Sequence, residues 1–204
     1  MNGMLDFELG AESLERSKVD LAVAGFFVDQ QPLRGGAGRV DWRLCGLISE
    51  QILSKRIHGK RGEAILIPSS GQMCANQVML VGLGVRSKYK LTGVTRVVED
   101  VVARAIKLAC PSLAMAPLGL SGEEYPRCAE AILAGAVAGF GASKSSLRIR
   151  MVLPQAEINR SAEATDAAIG TLSPERVRFK PPGNHATLSG ATLRRPATPK
   201  EGPR

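Results

Sequence analysis

Residues Glu63–Gly84, EAILIPSSGQMCANQVMLVGLG, constrain the fold more than any other stretch of the chain. Two apolar runs, Glu63–Pro68 and Gln77–Gly84, flank a polar loop. Neither run alternates apolar with polar residues. A continuous apolar run of this length suits a strand covered on both faces. The segments before and after the pair repeat at helical spacing, which predicts an α/β sandwich with these strands at its centre.

Such a sandwich needs a filled core. Of the 204 residues, 44% are hydrophobic and only 4% aromatic, so the core must be aliphatic. Few aromatic residues also mean few platforms on which bases could stack, which counts against recognition of single-stranded nucleic acid. The four cysteines, Cys45, Cys74, Cys110 and Cys128, form no CxxC pair, and the chain has two histidines, His58 and His185. That excludes a zinc cluster. Three of the cysteines sit in apolar surroundings and read as small core residues. The first residues lack the basic-then-apolar pattern of a secretory signal. The longest apolar run, Ala129–Ala142, is short and rich in Ala and Gly, unsuited to a membrane span. The expectation is a cytoplasmic protein with reduced thiols and no membrane partner.

In chain order, Met4–Leu9 alternates apolar and acidic residues, as a half-exposed edge strand does. Asp20–Val28 reads as a central strand and Asp29–Arg39 as a glycine-containing loop. Val40–Ile57 reads as one amphipathic helix with Val40, Leu44, Leu47, Ile48 and Ile52 inward. After the central pair, Thr92 reads as the N-cap of a helix expected to run through Leu108, with Val94, Val97, Val98, Val101, Val102, Ala105 and Ile106 on its buried face. Ser112–Pro117 is a further strand, and Glu123–Lys144 a helix whose small residues suggest close packing on the sheet. Arg148–Pro154 reads as an outer strand and Ala156–Leu172 as a last helix. Alternating strands and helices predict a mixed, mostly parallel sheet. From Ser173 the pattern stops. Residues 173–204 hold six of the twelve prolines and seven Lys or Arg against two Asp or Glu, within a net charge of +8. The division expected is a folded domain over 1–172 and a basic, disordered tail over 173–204, with local docking at Arg176–Phe179.

The stretch Gly62–Gly84, with its GEAILIPSS and NQVMLVGLG segments, resembles the N-terminal domain of the leucyl aminopeptidases, the cytosol aminopeptidase family. Asp20–Asp29 is similar to that domain's early strand. Glu130–Lys144 with Leu147–Pro154 is similar to its last long helix and closing strand. The resemblance covers roughly residues 17–170 and implies a three-layer macro-like sandwich of about six strands. In that family the chemistry lies in a separate C-terminal domain holding two metal ions, with a motif of the form N-T-D-A-E-G-R. No such motif occurs here. A two-metal site needs converging carboxylates, and Asp6, Asp20, Asp29, Asp41, Asp100 and Asp166 are scattered. The resemblance therefore implies the non-catalytic half of an aminopeptidase, without catalytic residues, metal or cofactor.

Two glycine-bearing loops are the candidate sites. Gly35, Gly36 and Gly38 precede a helix, where backbone N–H groups and the helix dipole suit a phosphate. Gly119, Ser121 and Gly122 lie in LGLSGEEYP, spaced like the phosphate loop of macrodomains that bind ADP-ribose. Against a phosphate stand Glu123 and Glu124, and AGFFVD replaces the polar segment those domains carry. The alternative is a pair of turns inherited with the fold. Lys55–Arg61 and Arg86–Lys90 are basic clusters expected at opposite ends of the central pair, where with the tail they could meet phosphates or another acidic surface. They suit non-specific contact with nucleic acid or, more simply, solvated loop ends. His58 and His185 have no acid or nucleophile beside them in sequence. Cys74 reads as buried or inert, and Trp42 as a packing residue or a contact to another chain. The reading that follows is a domain for protein interaction or assembly, as a homo-oligomer or with an aminopeptidase-type partner. The alternatives are an ADP-ribose-like nucleotide module, a basic nucleic-acid binder, and a subunit active only with a separate catalytic chain.

Overall fold

A computed structural model describes residues 3–172 and 175–181. Seven strands form one sheet: β1 Leu5–Gly10, β2 Leu21–Phe26, β3 Ala64–Pro68, β4 Gln77–Gly82, β5 Ser112–Met115, β6 Leu147–Val152 and β7 Val177–Lys180. The helices are α1 Gly35–Arg43, α2 Leu47–Leu53, α3 Leu91–Lys107, α4 Tyr125–Phe140 and α5 Ile158–Leu172. The strand order is β3-β4-β2-β5-β6-β1-β7. Among the described residues, only the β3–β4 pair is antiparallel; the other pairs are parallel.

The β3–β4 pair expected at the centre lies at one edge of this sheet, and the aliphatic runs β2 and β4 are its third and second strands. β2 and β4 pair in register from Leu21 with Gln77 to Phe26 with Gly82. Alternate residues of each strand face opposite layers. Leu21, Val23, Met79, Val81, Leu113 and Met115 face α3 and α4. Ala22, Ala24, Val78, Leu80 and Ala114 face α1 and α2. Burial of these side chains is the main stabilising term, roughly 1.5–3 kcal/mol for each large one.

The structure corrects the reading at several places. β1 is not an edge: it lies between β6 and β7. Its alternation arises because Leu5, Phe7 and Leu9 face the core, while Asp6 and Glu8 are only half-buried on the other face. β6 is likewise interior, bonded to β5 and β1. The real edge at the other end is β3, whose first three residues are incompletely buried; its apolar character does not reflect cover on both faces. The helix expected over Val40–Ile57 is two helices. Cys45 and Gly46 adopt positive φ of 55° and 83° between them. Asp41 caps α2 from outside: Oδ1 accepts the Ile48 N–H at 2.8 Å and the Ser49 N–H at 3.0 Å.

Helix α4 owes its small residues to another helix rather than the sheet. A Cβ on Gly135 would stand 2.4 Å from the Thr95 carbonyl oxygen, and one on Gly139 2.4 Å from that of Glu99. Two glycines one turn apart thus let α3 and α4 touch backbone to backbone. In the stretch read as a tail, Val177–Lys180 is a strand parallel to β1. Arg176 holds it there by donating to the carbonyls of Gly141 and Ser143, each at 2.6 Å. The rest of the expected tail, residues 173–174 and 182–204, lies outside the described residues, His185 included.

Candidate functional site

Parallel strands send their following loops to one end of a sheet, where α/β proteins place ligand crevices. Here the loops after β1, β5 and β6 meet the first turn of α1 around a cavity of about 360 Å³. Its lining includes Glu12, Ser13, Gly35, Gly36, Arg39, Leu120, Ser121 and Tyr125. Three of the six loop residues singled out from sequence, Gly35, Gly36 and Ser121, are therefore brought to one pocket. Gly38, Gly119 and Gly122 are not part of its wall.

Most of these glycines have packing reasons. A Cβ on Gly36 would lie 2.5 Å from that of Ala116, so α1 sits directly on the end of β5. A Cβ on Gly38 would meet the Leu33 carbonyl oxygen at 2.7 Å. One on Gly119 would meet Phe27 Cζ at 2.4 Å. The Phe27 ring thus fills the space beyond β2 that the AGFFVD segment left in question. It stacks edge-on with Tyr89, centroids 5.2 Å apart, and the Arg86 guanidinium lies 5.3 Å from its centre. Gly35, with φ of 59° and no neighbour near its missing Cβ, needs its left-handed backbone alone.

The pocket's charge is nearly self-compensated. Arg39 is its cation, 3.8 Å from the Glu15 carboxylate. Glu12 pairs with Arg150, which also holds Glu8 at 2.6 Å. A phosphate entering here would meet one guanidinium already beside a carboxylate. Sequence reasoning missed Glu12 and Ser13 because β1 was read as an edge strand, which put its following loop far from the centre.

The remaining candidates separate. The His58 N–H donates to Glu63 and its Nδ1 stands 3.7 Å from that carboxylate. Cys45 and Cys74 are exposed, Cys110 is half-buried and Cys128 alone is fully buried; the expectation of three core cysteines fails because Cys45 lies in the break between α1 and α2. Burial pushes the Cys128 thiol up to about 12, despite an opposing hydrogen bond to the Leu118 backbone. Trp42 is 77% exposed and does not pack in the core. The two basic clusters lie at one end of the sheet: the antiparallel β3–β4 pair sets their loops side by side, and the Gly84 N–H donates to Gly59 at 2.9 Å. Among the described residues, no group of three or more His, Cys, Asp and Glu is placed to hold a metal ion, and no helix is long and apolar enough to cross a membrane.

Known proteins share this arrangement. A tomato leucine aminopeptidase mutant superposes with a TM-score of 0.62 at 18% identity, covering 83% of this chain and 37% of that one. The macrodomain of Oceanobacillus iheyensis with ADP gives 0.61 at 8% identity, over 79% and 90%. At these identities the likeness concerns the fold, which is a macro-like α/β sandwich. In sequence, the "Probable cytosol aminopeptidase" of Alkaliphilus metalliredigens is 28% identical over 116 residues, which is 57% of this chain and 23% of that protein. The chain thus spans about a quarter of that relative's length. The model of the cytosol aminopeptidase family, N-terminal domain, matches residues 23–146. With more than half its length inside that match, the chain belongs to the cytosol aminopeptidase family, through the N-terminal domain.

Proposed function

We propose that this domain is non-catalytic and acts in protein interaction or oligomeric assembly. The observation that carries the reading is the outer surface of the α1–α2 layer. Trp42 on α1 is 77% exposed and Leu53 on α2 is 76% exposed. Tryptophan is prominent among residues that anchor interfaces, and this one is almost fully open. The partner is a second copy of the chain or an aminopeptidase-type catalytic chain. Light scattering on the full chain tests this, alone and mixed with the catalytic half of a cytosol aminopeptidase. Expected is either a mass above that of one 21.6 kDa chain when the protein is alone, or, in the mixture, a species heavier than either component by itself. A single chain alone, together with a mixture that shows only the two separate components, would reject the proposal. Leucine anilide with manganese should not be cleaved by the protein unaided.

A second reading is favoured by one observation: Gly35, Gly36 and Ser121 share a pocket at the carboxyl ends of parallel strands. That placement suits an ADP-ribose-like nucleotide. The paired state of Arg39 and the presence of Glu12 weigh against it. Calorimetry with ADP-ribose separates the two readings, and heat of binding lost in Ser121→Asp would favour the nucleotide.

A further inference from the structure

We propose that the free edge of β3, with the trough beside it, binds an acidic extended segment of another protein. The inference rests on the interaction reading above and adds a second surface, apart from the α1–α2 layer, with the chemistry of its partner.

The first observation is the edge itself. Among the described residues, β3 ends the sheet and is bonded to β4 alone. The Gly82 N–H donates to Glu63 at 2.8 Å and the Ser69 N–H to Asn76 at 3.1 Å. In an antiparallel ladder the bonding direction alternates along the strand. Odd-numbered residues of β3 therefore bond inward, and Ala64 and Leu66 turn both N–H and C=O outward. Pro68 offers only its carbonyl. An added strand would gain main-chain bonds at Ala64 and Leu66.

The second observation is the trough between this edge and α3. Two cavities, of about 170 and 270 Å³, meet at Arg104. The larger is apolar, with Leu66 and Leu108 on its wall. These are 38% and 45% exposed, two of the six large apolar side chains open to solvent among the described residues. The smaller has Arg61 and Arg96 on its wall.

The third is charge. Arg96, Asp100, Arg104 and Lys107 follow one another at spacings that keep them on one face of α3. Asp100 is taken by Arg104 at 2.8 Å. Glu63 is turned to the N–H groups of His58, Gly59 and Lys60, at 2.6–3.1 Å. Arg61, Arg96 and Lys107 form no ion pair among the described residues. A second copy pairing edge to edge would set this cationic strip against its own duplicate. An acidic segment complements it. The best occupant carries, on one face of its strand, a bulky apolar residue for the Leu66–Leu108 cavity and carboxylates two and four residues away for the arginines.

The test uses the full chain and a fluorescein-labelled peptide, acetyl-Leu-Thr-Glu-Thr-Glu-Thr-Leu-amide, which offers the same face in either direction. Anisotropy should show saturable binding that weakens with salt. Affinity should fall on the order of tenfold in Arg96→Glu/Lys107→Glu, where rim charge is reversed. It should also fall in Leu66→Pro, which deletes an outward N–H and no bond to β4. Thermal melts followed by circular dichroism verify that both variants fold, and amide exchange at Ala64 and Leu66 should slow when peptide binds. The proposal is overturned by no binding, by equal binding of the peptide with Lys for Glu, or by indifference to Leu66→Pro. Dimers that Leu66→Pro dissolves, with no peptide bound, would overturn it in favour of a second copy. Assembly that persists in Leu66→Pro without peptide binding sinks this surface but spares the broader reading; peptide binding without any assembly or affinity for the catalytic half does the reverse.

Discussion

At the scale of single residues, the thiols make the sharpest forecast. Cys45 and Cys74 are exposed and Cys128 is buried, so two cysteines should react with a thiol reagent in the native protein within minutes. Cys110, half-buried with its pKa raised by burial and by Asp20, should lag. Cys128 should react only on unfolding, and fast labelling of it would refute the packing of α4. The same burial sets a pH dependence. The Cys128 pKa is raised from 9.0 to about 12 in the fold. Its contribution is intact below the unfolded value and is lost as pH rises toward the folded one, because the unfolded chain releases that proton first. Tyr89, also raised by burial, acts in the same direction at higher pH. Urea midpoints should therefore fall from about pH 9 upward, and the slope should flatten in Cys128→Ala. Asp41 offers a separate test: Asp41→Ala removes the cap of α2 and should cost about 1 kcal/mol, read from denaturation midpoints.

Elements differ in how openly the sequence declares them. α3 was legible because its valines repeat every three or four residues over 17 residues, and the structure buries that face. β2 and β4 were legible as unbroken apolar runs. The positions of β1 and β6 were not, because strand order depends on which distant strand each one meets, and alternation cannot separate an edge from an interior strand with one half-open face. The break after α1 was hidden as well: the left-handed backbone at Cys45 and the reach of Asp41 to residues seven and eight places on leave no periodic signal. The small residues of α4 were read as a sign of close packing, and only the partner was misjudged: Gly135 and Gly139 meet α3 rather than the sheet. If their role is the close approach to α3, Gly135→Ala should destabilise by about 1–3 kcal/mol through overpacking. Helix propensity alone would make the same change stabilising. A rise in the unfolding midpoint would contradict the backbone contact.

For the molecule as a whole, the sequence supplied the family and the class of fold, and the structure supplied the surfaces. Of the glycine loops, Gly35, Gly36 and Ser121 converge on one cavity, while Gly119 is explained by Phe27, a contact between segments 92 residues apart in number. The exposure of Trp42 could not be read from an amphipathic pattern assumed to run through to Ile57. Trp42 is the chain's one tryptophan, so its emission reports directly on the surface that the assembly reading depends on. The decisive measurement is tryptophan emission over a dilution series of the full chain, repeated with the catalytic half of a cytosol aminopeptidase added. The account predicts the spectrum of a solvated indole in dilute protein, moving to shorter wavelength as the partner covers it. An emission maximum fixed at the solvated position at every concentration, with and without that catalytic half, would contradict it.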